Sequence, residues 1–216
     1  MSGGSRVELN PTFVELATSL KSRLLTDFSL RQNGRRVIGV GGESGSGKTV
    51  TANCLAEELL GAGMLTAVIH QDDYFRLPPR ANHGHRCLDL HNVGPHEVNL
   101  DLLQSHIDAF RSGREHVPAP LVDYPSDTFL AQRFDFSRTA VLIVEGTYIL
   151  SLEDIDVRIF LRATHVETRE GRRARNRDID EPVIEDVLEI EHGIISPQVR
   201  LADIVVNRDF VIDAKT

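Results

Sequence analysis

The run Gly42-Glu43-Ser44-Gly45-Ser46-Gly47-Lys48-Thr49 constrains this chain more than any other. It fits the spacing G-x-x-x-x-G-K-[ST], and it stands between a short apolar run, RRVIGVGG, and a helical pattern, KTVTANCLAEELLGAG. Glycines permit backbone angles at which successive N–H groups turn inward on a polyphosphate, and they let it come close. Lys48 adds a mobile positive charge toward the outer phosphates, and Thr49 offers a hydroxyl to Mg²⁺. The helix that follows presents the positive end of its dipole. Strand, glycine corner and helix together predict a phosphate cradle built from Gly42, Glu43, Ser44, Gly45, Ser46, Gly47, Lys48 and Thr49.

The rest of the chain repeats the strand-helix alternation. Phe13, Leu16, Ala17, Leu20 and Leu24 recur at helical spacing after Pro11, so residues 1–30 read as an N-terminal amphipathic helix. LTAVIHQDDYF, TAVLIVEGTYIL, DVRIFLRA and ADIVVN read as buried strands, and VNLDLLQSHIDAFRSG as a helix, with further helices around 164–177 and 181–193. Residues 76–99 are rich in Pro, Asn, His and Gly without a period and read as a long loop over a site. Residues 115–136, broken by Pro118, Pro120 and Pro125, read as irregular or short antiparallel structure at an edge. Nearly continuous apolar strands alternating with helices indicate an α/β fold around a mainly parallel sheet. The 216 residues suit one domain, 1–216, with an acceptor-binding insert at 76–135 and a lid at 164–180.

A formal net charge of -8 argues against a general grip on nucleic acid or an anionic membrane, which ask for a broadly basic face. Two cysteines make no disulfide framework, no apolar run is long enough to span a membrane, and MSGGSRVELN lacks the apolar core of a signal peptide. A reduced cytoplasmic setting is expected.

Acids and arginines fall where chemistry would need them. Asp72 and Asp73 close the second strand, at the edge where open α/β sheets bind ligands; a carboxylate there can take the proton of an attacking hydroxyl or hold a metal-bound water. Spacing alone also allows a solvated pair of acids, one facing in and one out. Glu145 leaves the most apolar strand as a metal-side carboxylate would. Arg169, Arg172 and Arg173 share one helix face, with Arg177 on another edge, and could stabilise a transferring phosphoryl group. The plainer reading pairs them with the acids at 178, 180, 181, 185 and 186.

GGESGSGKTVTA, HQDDYF, VNLDLL, VDYPSDTF, VLIVEGTYIL, ETREGRRARNRD and ADIVV occur in the order found in the uridine kinase and phosphoribulokinase-like family of P-loop kinases, which includes nicotinamide riboside kinases. The chain resembles that family from residue 36 to about 207. The resemblance implies a P-loop fold with a five-stranded parallel sheet, flanking helices and an Arg-rich helical lid, and ATP-dependent phosphorylation of a small-molecule hydroxyl. It implies Asp72 as general base, Thr49 and Glu145 on the Mg²⁺ side, Lys48 on the phosphates, and Arg169, Arg172 and Arg173 in a lid over ATP and acceptor.

On the acceptor side the chain departs from uridine kinases. NVGPHEVN places Val93 where they carry an aspartate, leaving Asn92, His96 or Glu97 as substitutes, and Val122 and Asp127 stand where they carry a tyrosine and a histidine. Tyr74, His96, Asp123, Tyr124 and Asp127 are read with Asp72 and Arg169 as the acceptor lining, suited to a nucleoside, a riboside or another hydroxyl-rich or cationic acceptor. A sugar, a phosphosugar or a pantothenate-like molecule is the alternative within the class. A regulatory ATPase or GTPase acting through a protein partner is the alternative outside it, although no N-K-x-D or L-S-G-G-Q run is present. His83, His85, Cys87, His91 and His96 lie close in sequence but at a spacing that matches no zinc pattern. The N-terminal helix either covers the sheet or pairs with a second copy in a homo-oligomer.

Overall fold

The computed structural model describes residues 10–30, 34–169 and 182–213. Five strands form one parallel sheet: β1 (Arg36–Gly42), β2 (Thr66–His70), β5 (Val141–Gly146), β6 (Val157–Leu161) and β7 (Ile204–Val206), in the order β2-β5-β1-β6-β7. In register, Val40 of β1 lies beside Glu145 of β5 and Ile159 of β6, and His70 of β2 lies beside Glu145. Period-two alternation divides these strands between two cores. Ile38, Val40, Ile143, Ile159 and Leu161 enter one cluster with α1 (Pro11–Thr26) and α2 (Lys48–Gly61). Val37, Leu142, Val144 and Phe160 enter the other, with α4 (Leu100–Arg111). Burial on both faces is why the strands read as unbroken apolar runs.

The opening helix covers this layer. Asn10 caps α1 by accepting from the Thr12 N–H, Pro11 occupies the first turn, and Leu16, Ala17, Leu20 and Leu24 are buried against Ala52, Leu55 and Leu59. A Lys21–Glu58 ion pair ties α1 to α2 at the rim.

One segment differs from expectation, and another takes the antiparallel form of its two readings. Residues 76–99 are not a loop, since they hold α3 (Pro79–Leu88) followed by two 3₁₀ turns. The helix shows no apolar stripe because its one buried side chain is Asn82, so polar bonds rather than hydrophobic burial seat it. Residues 116–135 form a regular hairpin, β3 (His116–Asp123) against β4 (Thr128–Asp135), as a separate two-stranded sheet. In a two-stranded ribbon both strands are edges, which is why Pro118 and Pro120 are tolerated. Last comes α5 (Pro182–Ile195), starting where the second helical pattern does; most of the 164–180 segment, with Arg172, Arg173, Arg175 and Arg177, lies outside the described residues.

Candidate active site

The cradle forms where β1 turns into α2. Gly47 occupies the N-cap of α2 in the left-handed region, with φ 92°, and supplies no side-chain cap, so the first-turn amides are left for a ligand. A Cβ at Gly47 would lie 2.7 Å from the Phe13 ring and 3.2 Å from that of Phe210, so the loop is also pressed from behind. Ser46 is fully buried and its hydroxyl has no protein partner among the described residues. An orphaned hydroxyl beside uncapped amides fits a polyphosphate. The Lys48 ammonium donates to the Glu43 carbonyl at 2.9 Å. Beside Gly45 opens a cavity of about 360 Å³, walled by Ala163, Thr168, Arg208 and Phe210.

Thr49, Glu145 and His70 meet at the adjoining strand ends. The Thr49 hydroxyl donates to Glu145 Oε1 at 3.1 Å, and His70 Nδ1 stands 2.9 Å from the same oxygen. Glu145 is 3% exposed, and its bond to His70 is the main cause pushing that imidazole above its ordinary range. A hydroxyl and a carboxylate are hard oxygen donors of the kind Mg²⁺ takes.

Asp72 and Asp73 lie on a 3₁₀ turn, Gln71–Tyr74, that continues from β2. Gln71 fixes the turn, accepting from the Tyr148 N–H at 2.8 Å and donating to the Thr147 hydroxyl at 2.9 Å. A side chain at Gly146 would collide with Gln71 at 2.4 Å, so the end of β5 must be bare for the two loops to meet. Asp73 is buried and accepts from the Val122 N–H at 2.8 Å, anchoring the hairpin. Asp72 keeps an accessible face while protein surrounds its other sides. Desolvation, then the nearby Glu145 charge, pushes its carboxyl above the usual aspartate range; Lys48, a bond from the Tyr124 hydroxyl at 3.3 Å and His70 pull the other way. One acid of the pair thus faces in and the other out, but the 3₁₀ turn rather than strand alternation separates them.

Several residues expected to line the acceptor have other employment. Tyr74 is a core residue, 1% exposed, with its hydroxyl 2.6 Å from His106 Nδ1. Asp127 accepts from the Arg80 N–H at 2.8 Å in the first turn of α3, and Asp123 accepts from the Ser126 hydroxyl within the hairpin turn. His96 is exposed, its ring lying over Gly94. Arg169 pairs with Glu185 of α5 at 2.7 Å, the plainer of its two readings. Tyr124 alone of the hairpin residues reaches Asp72 by a hydrogen bond among the described residues.

Sequence reasoning misses His70, Gln71, Arg86 and Glu191. Arg86 of α3 makes a two-pronged contact with Glu97, both bonds at 2.6 Å, and reaches Glu191 of α5 at 3.0 Å. His70 precedes HQDDYF's acids and could have been flagged by that position. The Arg86 cluster joins elements 11 and 105 residues apart and leaves no local signal.

Residues 37–213 match the profile of the phosphoribulokinase / uridine kinase family. The chain belongs to that family. It is a P-loop kinase that phosphorylates a hydroxyl acceptor, and its five-stranded sheet flanked by helices is the expected architecture. It is 31% identical over 188 residues to a uridine kinase from Deinococcus deserti, covering 79% of this chain and 86% of that one. It is 30% identical over 189 residues to the bifunctional alpha-galactosidase/sucrose kinase AgaSK of Mediterraneibacter gnavus, covering 81% of this chain but only 20% of that much longer protein. A Bacillus stearothermophilus structure described as a possible uridine kinase superposes with a TM-score of 0.61 at 21% identity, covering 87% of this chain and 98% of that one, which supports the fold. No helix among the described residues of this kinase is long and apolar enough to cross a membrane.

Proposed function

We propose that this kinase transfers the terminal phosphoryl group of ATP to a sugar hydroxyl, on a free sugar or a riboside, with Asp72 as general base. The observation that carries the reading is Asp72 itself: a carboxylate held above its ordinary pKa, open on one side, and within electrostatic reach of Lys48 and Glu145. Raised basicity is what a carboxylate needs to take a proton from an alcohol near neutral pH.

In this mechanism the glycine corner and the first turn of α2 bind the phosphates through main-chain amides, and Lys48 swings from the Glu43 carbonyl to the charge that builds on them. Thr49 and Glu145 would hold Mg²⁺, which would neutralise phosphate charge. The cavity beside Gly45 takes the nucleotide base against Phe210. Asp72, steadied by Tyr124, accepts the proton of the acceptor hydroxyl as its oxygen bonds to phosphorus and the bond to the bridging oxygen of ADP breaks. Arg169 would have to leave Glu185 to reach the transferred group.

Recognition through sugar hydroxyls follows from what the acceptor side withholds. Val122 and Asp127 stand where uridine kinases carry a base-contacting tyrosine and histidine, and with the Val122 main chain bound by Asp73 and Asp127 capping α3 they offer little to a base. Buried Val93 replaces the aspartate that binds ribose hydroxyls there, so a sugar would be held here by other groups, Asp72 and Tyr124 among them. The names of the relatives, sucrose kinase and uridine kinase, span the two acceptor types. The test is ADP release from ATP·Mg²⁺ with a panel of nucleosides, pyridinium ribosides, mono- and disaccharides and phosphosugars, with products weighed by mass spectrometry. Acceptor-dependent turnover on a sugar or riboside is expected. Hydrolysis that ignores every acceptor and rises with a protein partner would replace this reading with a switch.

A further inference from the structure

Two histidines far apart in sequence meet one carboxylate of the glycine corner. Glu43, 4% exposed, accepts the His165 backbone N–H on Oε2 at 2.7 Å, and the His165 Nδ1 stands 3.4 Å from the same oxygen. Its other oxygen is 2.7 Å from His192 Nδ1, on α5. One donor atom from each of the three residues lies within 4.8 Å of the others. His165 is 6% exposed, and the two imidazoles are 5.5 Å apart, centre to centre. None of these side chains has a part in the transfer chemistry.

We infer that Glu43, His165 and His192 form a binding site for a transition-metal dication of the zinc class, distinct from the Mg²⁺ position at Thr49 and Glu145. Two imidazoles and a carboxylate are a donor set zinc uses when a fourth position is left to water. Bonds of about 2.0–2.1 Å in a tetrahedron put donors roughly 3.3 Å apart, so the present separations need side-chain shifts of no more than about 1 Å. The His165 Nε2 lies 3.5 Å from the Glu189 carboxylate, while its Nδ1 is turned toward Glu43. Imidazole donors favour zinc over Mg²⁺, so the reaction's own cation would not fill the site.

The test is titration of Zn²⁺ into the chelator-stripped full chain in millimolar Mg²⁺, followed by calorimetry, with Co²⁺ as a spectroscopic stand-in. One equivalent bound, with visible Co²⁺ absorption of a four- or five-coordinate site, is expected. His192→Gln keeps a hydrogen-bond donor to Glu43 but removes the ligand, and it should weaken Zn²⁺ binding at least about tenfold while metal-free thermal stability stays unchanged. His165→Ala should do the same, and a His83→Ala/His91→Ala variant should bind as the parent does. Absence of stoichiometric binding, binding undiminished in His192→Gln, or loss confined to the His83/His91 variant would each overturn the proposal.

Discussion

Asp72 is held in a state it would not choose in water. Because its carboxyl is raised in the folded chain by desolvation and by Glu145, the fold binds that proton more tightly than the unfolded chain does. Stability is therefore highest below the unfolded value, falls as pH climbs through the interval up to the folded value, and carries the full penalty above it. Asp72→Asn removes the charge. It should lower kcat by about 10²–10⁴ with ATP binding retained, and yet raise the melting temperature at neutral pH. A variant that loses turnover and stability together would mark the residue as merely structural. Tyr124→Phe deletes a bond that favours the ionised carboxylate. The acid limb of kcat against pH should therefore move upward, and a limb that stays put would detach Tyr124 from the base. Lys48, Thr49, Asp72 and Glu145 are legible in the sequence because each stands at a strand end or helix start beside residues that announce that position. Tyr74 is not, since nothing in HQDDYF says that the turn will roll its ring into the core against His106.

At the scale of elements, α3 and α5 are joined by charge where other helices are joined by oil. Arg86 sits between Glu97 and Glu191 with only 16% of its side chain exposed, and Glu97 with 2%. Removing the guanidinium strands buried carboxylates, so Arg86→Met should cost about 3–5 kcal/mol in urea unfolding, and adding Glu97→Gln should restore part of it. An equal loss in the single and double variants would refute the pairing. The same chemistry hides α3 from a reading by periodicity: a helix seated by Asn82, Arg86 and Asp127 shows no apolar stripe. The parallel strands, by contrast, are legible because burial on both faces leaves no other composition open to them. The hairpin is half legible, its prolines marking edges but not its length.

At the scale of the molecule, the order β2-β5-β1-β6-β7 brings Asp72, Glu145 and the glycine corner to one rim, though they are fixed by pairings that no local pattern encodes. The opening helix lies outside the matched residues 37–213, yet it is built into that rim. Its Phe13 ring is 4.5 Å from Phe210, and both rings press on Gly47. Phe13→Ala should raise KM for ATP by about tenfold while kcat and the acceptor KM stay near the parent values, because Phe210 loses its backing where it walls the base cavity. Equal changes in both KM values would argue for a general loosening instead.

That aromatic contact brings positions 13 and 210 together, nearly two hundred residues apart along the backbone. A short bridge between the flanks of this contact, with the polypeptide reopened at the exposed turn around Gly113 that follows α4, would yield a circularly permuted enzyme whose catalytic rim keeps its connectivity. Such a rearranged gene product should still turn over its acceptor, and the old opening helix would then sit in mid-sequence, clamped from both directions.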